Sequence, residues 1–343
     1  MIFKNFINNE WCDALNSKTF EVVNPFTEKV ITSVPASDEK DVAVAVEAAK
    51  NAFYSWSELT AGERRDHLRA LANRSREHAE EIAKTISAEM GKPYKDAITE
   101  IDDLAEYLEY YSELARDQVG RMVAPVDKKS MSLVRYEPYG VVGCIIPWNY
   151  PLSLMGWKLA PALAAGNTII MKPSEITSLS ILHWAERVVG DIPSGVINVV
   201  TGYGEEAGEA LVKHPKVPII TFTGSVRTGK RIAKLAADNL KKVSLELGGK
   251  DPVIICDDAD ILATIIKNYQ SSNMIVYNNN IAKLCKLFDS QYTKDILKHV
   301  VTNILSASDA KQCQTNLLTL FSLLVDTLMI DQPEKVIAYI EIL

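Results

Sequence analysis

Glycine is missing from the C-terminal stretch of this chain: all 16 glycines, and all five tryptophans, lie before residue 251 of 343. Turns between alternating strands and helices draw on glycine, so a change of architecture is expected near residue 262. Cysteine is also scarce. Cys12, Cys144, Cys256, Cys285 and Cys313 are scattered, odd in number and never spaced C-x-x-C, which argues against a disulfide framework or a zinc site. No apolar run reaches the roughly 18 residues of a membrane helix. The opening "MIFKNFINNEW" has neither the charged start nor the long apolar core of a secretion signal. Long basic runs are absent and the formal net charge is −7, so nucleic acid and membrane surfaces are poor partners. These absences together lead to the expectation of a cytoplasmic protein.

What is present falls into two parts. From Asp38 to Asp117 apolar residues recur at helical spacing, in "EKDVAVAVEAAKNAFYSW" and "AGERRDHLRALANRSREHAEEIAKTISAEMGK", with Asp38 placed to cap the first run. "SLVRYEPYGVVGCIIP" then reads as strand. Short β-branched runs follow between helices: "NTIIMKP", "GVINVVTG", "PIITFTGS", "KVSLELGG" and "PVIICDD". Strands separated by helices of this length pair in parallel through right-handed crossovers. Beyond "SSNMIVYNNN", a polar break, the tail carries helical patterning such as "TNLLTLFSLLVDTLM". The expected architecture is α/β: a Rossmann-like cofactor domain on a parallel sheet over residues 1–262, then an unrelated, mainly helical tail over 263–343.

In parallel sheets ligands bind beyond the carboxyl ends of the strands. There the sequence places "WNYP", "KPSE", "TGYGEEAG", "TGSVRTG" and "ELGGK" in turn. "TGSVRTGK" opens a helix, so amides near Gly224 and Ser225 can meet a phosphate. "GYGEEAG" is close to the G-x-G-x-x-G fingerprint. Lys172 and Glu175 leave one strand, where an acidic side chain can take ribose hydroxyls. Taken singly these are turn glycines, a helix cap at Ser225 and a solvated Lys–Glu pair; together they point to a dinucleotide. Glu246, between Leu245 and Leu247, is a carboxylate in an apolar setting, which is either paired or used.

"PWNYP", "WKLAPALAAGNTIIMKPSE", "TFTGSVRTGK" and "LELGGKDP", in this order, resemble the NAD(P)-dependent aldehyde dehydrogenase superfamily over about residues 1–260. The resemblance implies that Asn149 helps hold an oxyanion and that Glu246 activates water. It also implies that Ile146, Pro147, Trp148, Lys172, Ser174 and Glu175, with Gly204, Gly224, Ser225 and Leu247, surround the cofactor. A glutamate at the ribose position suggests NAD rather than NADP. The strands near 120–138 correspond to the family's oligomerisation arm, which leaves room for a homo-oligomer. Tyr150 and Trp157 approach the substrate tunnel, where two rings can hold an ammonium group by cation–π attraction. Betaine aldehyde or another aminoaldehyde follows as the expected small-molecule substrate.

The family's nucleophilic cysteine sits in a "GQxC" context downstream of this glutamate, and nothing after Asp260 matches it. Cys285 is the nearest candidate nucleophile, although Ile281, Leu284, Cys285 and Phe288 share one helical face, where a cysteine is ordinary core filler. The family's catalytic domain is expected to be missing and the chain truncated and catalytically impaired. Three readings stay open: a dehydrogenase by lineage, a non-catalytic NAD-binding module with a helical interaction tail, and a non-functional fragment.

Overall fold

Asp38 opens the first long helix as its position predicts. Its carboxylate accepts from the Lys40 amide while Asp41 reaches back to the Asp38 amide, closing a capping box. The computed structural model describes residues 3–117, 120–125 and 127–248. The expected helical tail, Cys256, Cys285 and Cys313 lie outside these residues. Before that helix come β1 (Asn5–Ile7), β2 (Glu10–Cys12), β3 (Thr19–Val23) and β4 (Val30–Pro35). Sequence patterning missed these strands; β1 and β2, at three residues each, are too short for a periodic signal.

The helical region resolves into α1 (Glu39–Glu58), α2 (Ala61–Glu77), α3 (Ala79–Met90) and α4 (Tyr94–Leu114). The second amphipathic run is thus two helices, broken at His78, whose φ of −104° and ψ of 12° leave the helical region. β5 (Arg121–Val123) and β6 (Ser132–Val134) form a separate antiparallel pair. Alternation then sets in with β7 (Val141–Ile145), α5 (Pro151–Ala164), β8 (Thr168–Lys172), α6 (Ser178–Val188) and β9 (Ile197–Val199). A π turn over Gly204–Gly208 leads to α7 (Glu209–Lys213), β10 (Ile219–Gly224), α8 (Val226–Ala237) and β11 (Lys242–Leu247).

The central sheet runs β11-β10-β7-β8-β9-β1-β2. Its first five strands are parallel, as the sequence spacing requires. β1 then adds antiparallel to β9, with Phe6 opposite Val199, and β2 adds to β1. Because β7 leads outward one way to β8 and β10 the other way to β11, right-handed crossovers put α5 and α8 on opposite faces. Two apolar cores follow, one holding Leu152, Met155 and Leu159 of α5 and the other Ile232 and Ala236 of α8. The strand order reverses between β7 and β10, which makes their carboxyl ends the switch point where such sheets hold ligands.

Candidate active site

Past Ile145 the chain turns through Ile146, whose amide donates to the Lys172 carbonyl at 3.0 Å and whose side chain is buried in the core. Pro147, Trp148, Asn149 and Tyr150 emerge half-exposed at the sheet edge. Pro151 begins α5, where its fixed φ and missing N–H fit the first helical position. Among the described residues nothing hydrogen-bonds the Asn149 amide, so it is free to donate to a ligand. The Lys92 ammonium lies 3.7 Å from the Tyr150 ring centroid.

At the end of β8, Lys172 is 3% exposed and its Nζ lies 3.6 Å from Glu175 Oε2. Burial pushes the lysine pKa down and Glu175 opposes the shift. The solvated ion pair that sequence allowed is therefore corrected: the ammonium is buried, and only the glutamate faces solvent. Ser174 shapes the turn between them, its Oγ accepting from the Ile176 amide.

Two of the helices that follow parallel strands have their N-termini closed from outside. Glu100 of α4 accepts from the Leu152 and Ser153 amides of α5 at 2.7 and 3.2 Å. Glu89 of α3 accepts from the Leu179 and Ser180 amides of α6 at 2.8 and 3.1 Å. Of the other two, α7 carries Glu209 in its first turn, whereas α8 has no carboxylate there. Ser225 caps it by accepting from the Thr228 amide at 3.2 Å, so the remaining N-terminal amides face solvent beside exposed Arg227 and Lys230. Dipole and cations together make α8 the anion-accepting end of the sheet. Gly224 before it has φ +159°, and a Cβ there would meet the Phe222 ring at 2.6 Å. Inside α8, Gly229 lets Leu247 pack against the helix, since a Cβ would lie 2.6 Å from Leu247 Cδ2.

The glycine fingerprint divides differently from its sequence reading. Gly204 starts the π turn with open space where a Cβ would point. Gly202 is the constrained position, at φ +146° and within 2.9 Å of the Ser37 carbonyl oxygen for an added Cβ. Buried Asn5 fixes this loop by donating to Ser37 Oγ and accepting from the Thr201 amide at 2.7 and 2.9 Å.

Glu246 is exposed rather than buried. Alternation along β11 turns Val243, Leu245 and Leu247 toward the α8 core and sends Ser244 and Glu246 to the other side. The costly buried carboxylate read from its apolar neighbours is thus corrected: those neighbours lie on the opposite face. Glu246 pairs in register with Thr223 of β10, and Thr223 Oγ1 accepts from Lys158 Nζ at 2.6 Å. Lys158 was not singled out from sequence, although it is the one charged residue of an otherwise apolar α5. Burial pushes its pKa down, while Cys144 and Glu246 favour its charged form. Cys144 itself lies within β7, fully buried, with its thiol pushed far above the usual range by burial. Cys12 is pushed up as well, by burial and then by Asp41. Neither described cysteine is a nucleophile at neutral pH.

Among the described residues, the crevice at the β7–β10 switch point therefore combines an amide without a hydrogen bond, a carboxylate, two buried ammonium groups and a helix end with no carboxylate in its first turn. Among the described residues no acidic, histidine or cysteine cluster fits a metal ion, and no helix is long and apolar enough to cross a membrane.

Comparison with known proteins gives a matching relationship. The profile of the Aldehyde dehydrogenase family matches residues 11–277. The peroxisomal aminoaldehyde dehydrogenase 1 of Malus domestica is 45% identical over 266 residues, covering 75% of this chain and 53% of that protein. The mitochondrial succinate-semialdehyde dehydrogenase of Oryza sativa subsp. japonica is 42% identical over 259 residues, covering 75% of this chain and 49% of its own length. Among solved structures, betaine aldehyde dehydrogenase from Staphylococcus aureus in complex with NAD+ aligns with a TM-score of 0.73 at 38% identity. The alignment covers 78% of this chain and 54% of that one. The chain thus spans about half the length of the curated relatives it matches.

Proposed function

This chain belongs to the aldehyde dehydrogenase family, and on that premise we propose that residues 3–248 form the NAD-binding half of a dehydrogenase that oxidises an aminoaldehyde or betaine aldehyde to the acid. The observation that carries the reading is the convergence at one switch point of the α8 N-terminus, the Lys172–Glu175 pair and the Asn149 amide, which has no hydrogen bond to another described residue.

The residues fit a dinucleotide. Amides at the start of α8, with Arg227 and Lys230, suit the phosphates. Lys172 and Glu175 suit the ribose hydroxyls. The bound nicotinamide supplies a hydride acceptor. Toward the substrate, Asn149 donates a hydrogen bond to the oxygen that gains negative charge when a thiolate adds to the carbonyl carbon. Glu246 accepts a proton from the water that releases the acid from its thioester. The thiolate must come from outside the described residues, with Cys285 the candidate. Half-exposed Trp157 offers a ring to a cationic substrate; one face of Tyr150 is already taken by Lys92.

Glu175 sets the cofactor preference in this reading. Its charge repels a 2′-phosphate, so calorimetric titration is expected to find NAD bound about 30-fold more tightly than NADP, equivalent to ~2 kcal/mol. Glu175→Gln is expected to reduce that gap to about threefold. Equal affinities in the unsubstituted chain would remove the ribose assignment. The exposed Met122, Met131, Leu133 and Tyr136 on and beside the β5–β6 hairpin support self-association, which light scattering of the purified chain checks against the monomer mass.

A second reading is favoured by the absence of a competent thiol among the described residues: an NAD-binding module without turnover. Aldehyde-dependent NADH formation decides between them. Turnover abolished by Cys285→Ser supports the dehydrogenase; NAD binding without turnover supports the module; no NAD binding ends both.

A further inference from the structure

Asn149 makes no hydrogen bond to another described residue, so its placement depends on its neighbours. The next residue, Tyr150, is the N-cap of α5 at φ −140° and ψ 70°, yet α5 has no side-chain cap of its own and no acid in its first turn. Pro151 brings no N–H, which leaves the Leu152 and Ser153 amides as the first donors. One oxygen of Glu100 accepts both, at 2.7 and 3.2 Å. The other accepts from Lys92 Nζ. Lys92 in turn covers the Tyr150 ring at 3.7 Å. The side chains of Lys92 and Glu100 are 7% and 0% exposed, so both charges act with little screening from water.

These contacts close a ring: Glu100 to the α5 amides, α5 to Tyr150, Tyr150 to Lys92, Lys92 back to Glu100. Two residues distant in sequence thereby hold both the helix start and the aromatic ring that flank Asn149. Resting on the oxyanion role given above to Asn149, we propose that Glu100 and Lys92 are positioning residues that fix the Trp148–Tyr150 loop so that the Asn149 amide points at the reacting oxygen. A donor displaced by a fraction of an ångström loses much of its effect on developing charge, and a helix end held by one shared carboxylate is a point where that displacement can arise.

Hydrogen–deuterium exchange of the full chain tests the clamp without needing turnover. Glu100→Ala is expected to raise exchange in the peptide covering 148–156 by about tenfold, the equivalent of one lost hydrogen bond, and to leave 226–237 unchanged. Glu100→Gln keeps an acceptor oxygen for the helix amides and is expected to restore most of the protection. Lys92→Met keeps the stem but removes the charge, and is expected to loosen the loop to an intermediate extent. Unchanged exchange at 148–156 in Glu100→Ala, or an equal rise across the whole domain in all three variants, overturns the proposal. Aldehyde oxidation is measured alongside. In an active chain Glu100→Ala is expected to lower kcat at least about tenfold, with KM for NAD within about twofold, and Glu100→Gln to recover most of it. A kcat that stays unchanged while the loop exchanges faster overturns the positioning of Asn149. Absence of turnover in the unsubstituted chain removes the oxyanion reading, and the exchange data then decide the clamp alone.

Discussion

Raising the pH from about 6 to 8 is expected to remove a few kcal/mol of the stability that Glu89 lends the folded domain. Its carboxyl is fully buried and its pKa is pushed up from an ordinary 4.5 to about 8. Dehydration is the main cause, and the charge of Glu100 adds to it; the Leu179 and Ser180 amides pull the other way without prevailing. A group whose folded pKa is raised lends stability that is fully present below 4.5 and lost as the pH climbs through 8. The folded state thus binds a proton that the unfolded chain has released. Above that window Lys241 acts in the opposite sense. Burial lowers its pKa from 10.5 to about 8, so its contribution is present above 10.5 and lost as pH falls through 8. Urea unfolding at matched pH values isolates Glu89: Glu89→Gln starts lower, because it retains one acceptor for two amides, and its stability is expected to stay nearly level from about pH 6 to 8. Parallel curves for the two proteins would show that this carboxyl is not the group responsible.

Gly202→Ala is expected to cost about 2–4 kcal/mol and to weaken NAD binding, whereas Gly204→Ala is expected to cost less than about 0.5 kcal/mol. At φ +146° Gly202 occupies backbone space that side chains avoid. Its Cβ would meet Ser37 backbone oxygen and nitrogen at 2.9 and 3.2 Å and the Ala207 Cβ at 2.9 Å. The loop cannot shift to make room. Thr201 accepts from the Ser37 amide through its carbonyl, and its own amide and hydroxyl both donate to Asn5. Strain therefore stays in the segment that leads to the π turn beside α8. Denaturant unfolding and NAD titration of both variants check it, and equal stability of the two would show that the loop yields.

The Asp38 and Ser225 caps were legible because each is written within a few neighbouring residues, and the parallel pairing of the strands because helices of crossover length separate them. So were the polar and glycine-bearing strand ends, and the lineage they share with aldehyde dehydrogenases. The environment of Glu246 was not, because Leu245 and Leu247 flank it in sequence but point to the opposite face of β11. Neither was Gly202 distinguishable from Gly204, since their difference lies in the approach of Ser37 from a distant loop.

By itself the sequence determined the α/β class and which polar and glycine-bearing residues follow each parallel strand. Those properties follow from local periodicity, caps and turns, which each chain segment carries within itself. Only the tertiary structure decided which helix ends are closed by Glu89 and Glu100, that Lys158 reaches Thr223 beside Glu246, and that Asn5 pins the loop after β9. Each of these joins residues between 52 and 196 positions apart. Burial favours such pairings, since a buried polar group left without a partner is costly, but which partner lies within reach is set by how the helices and strands pack.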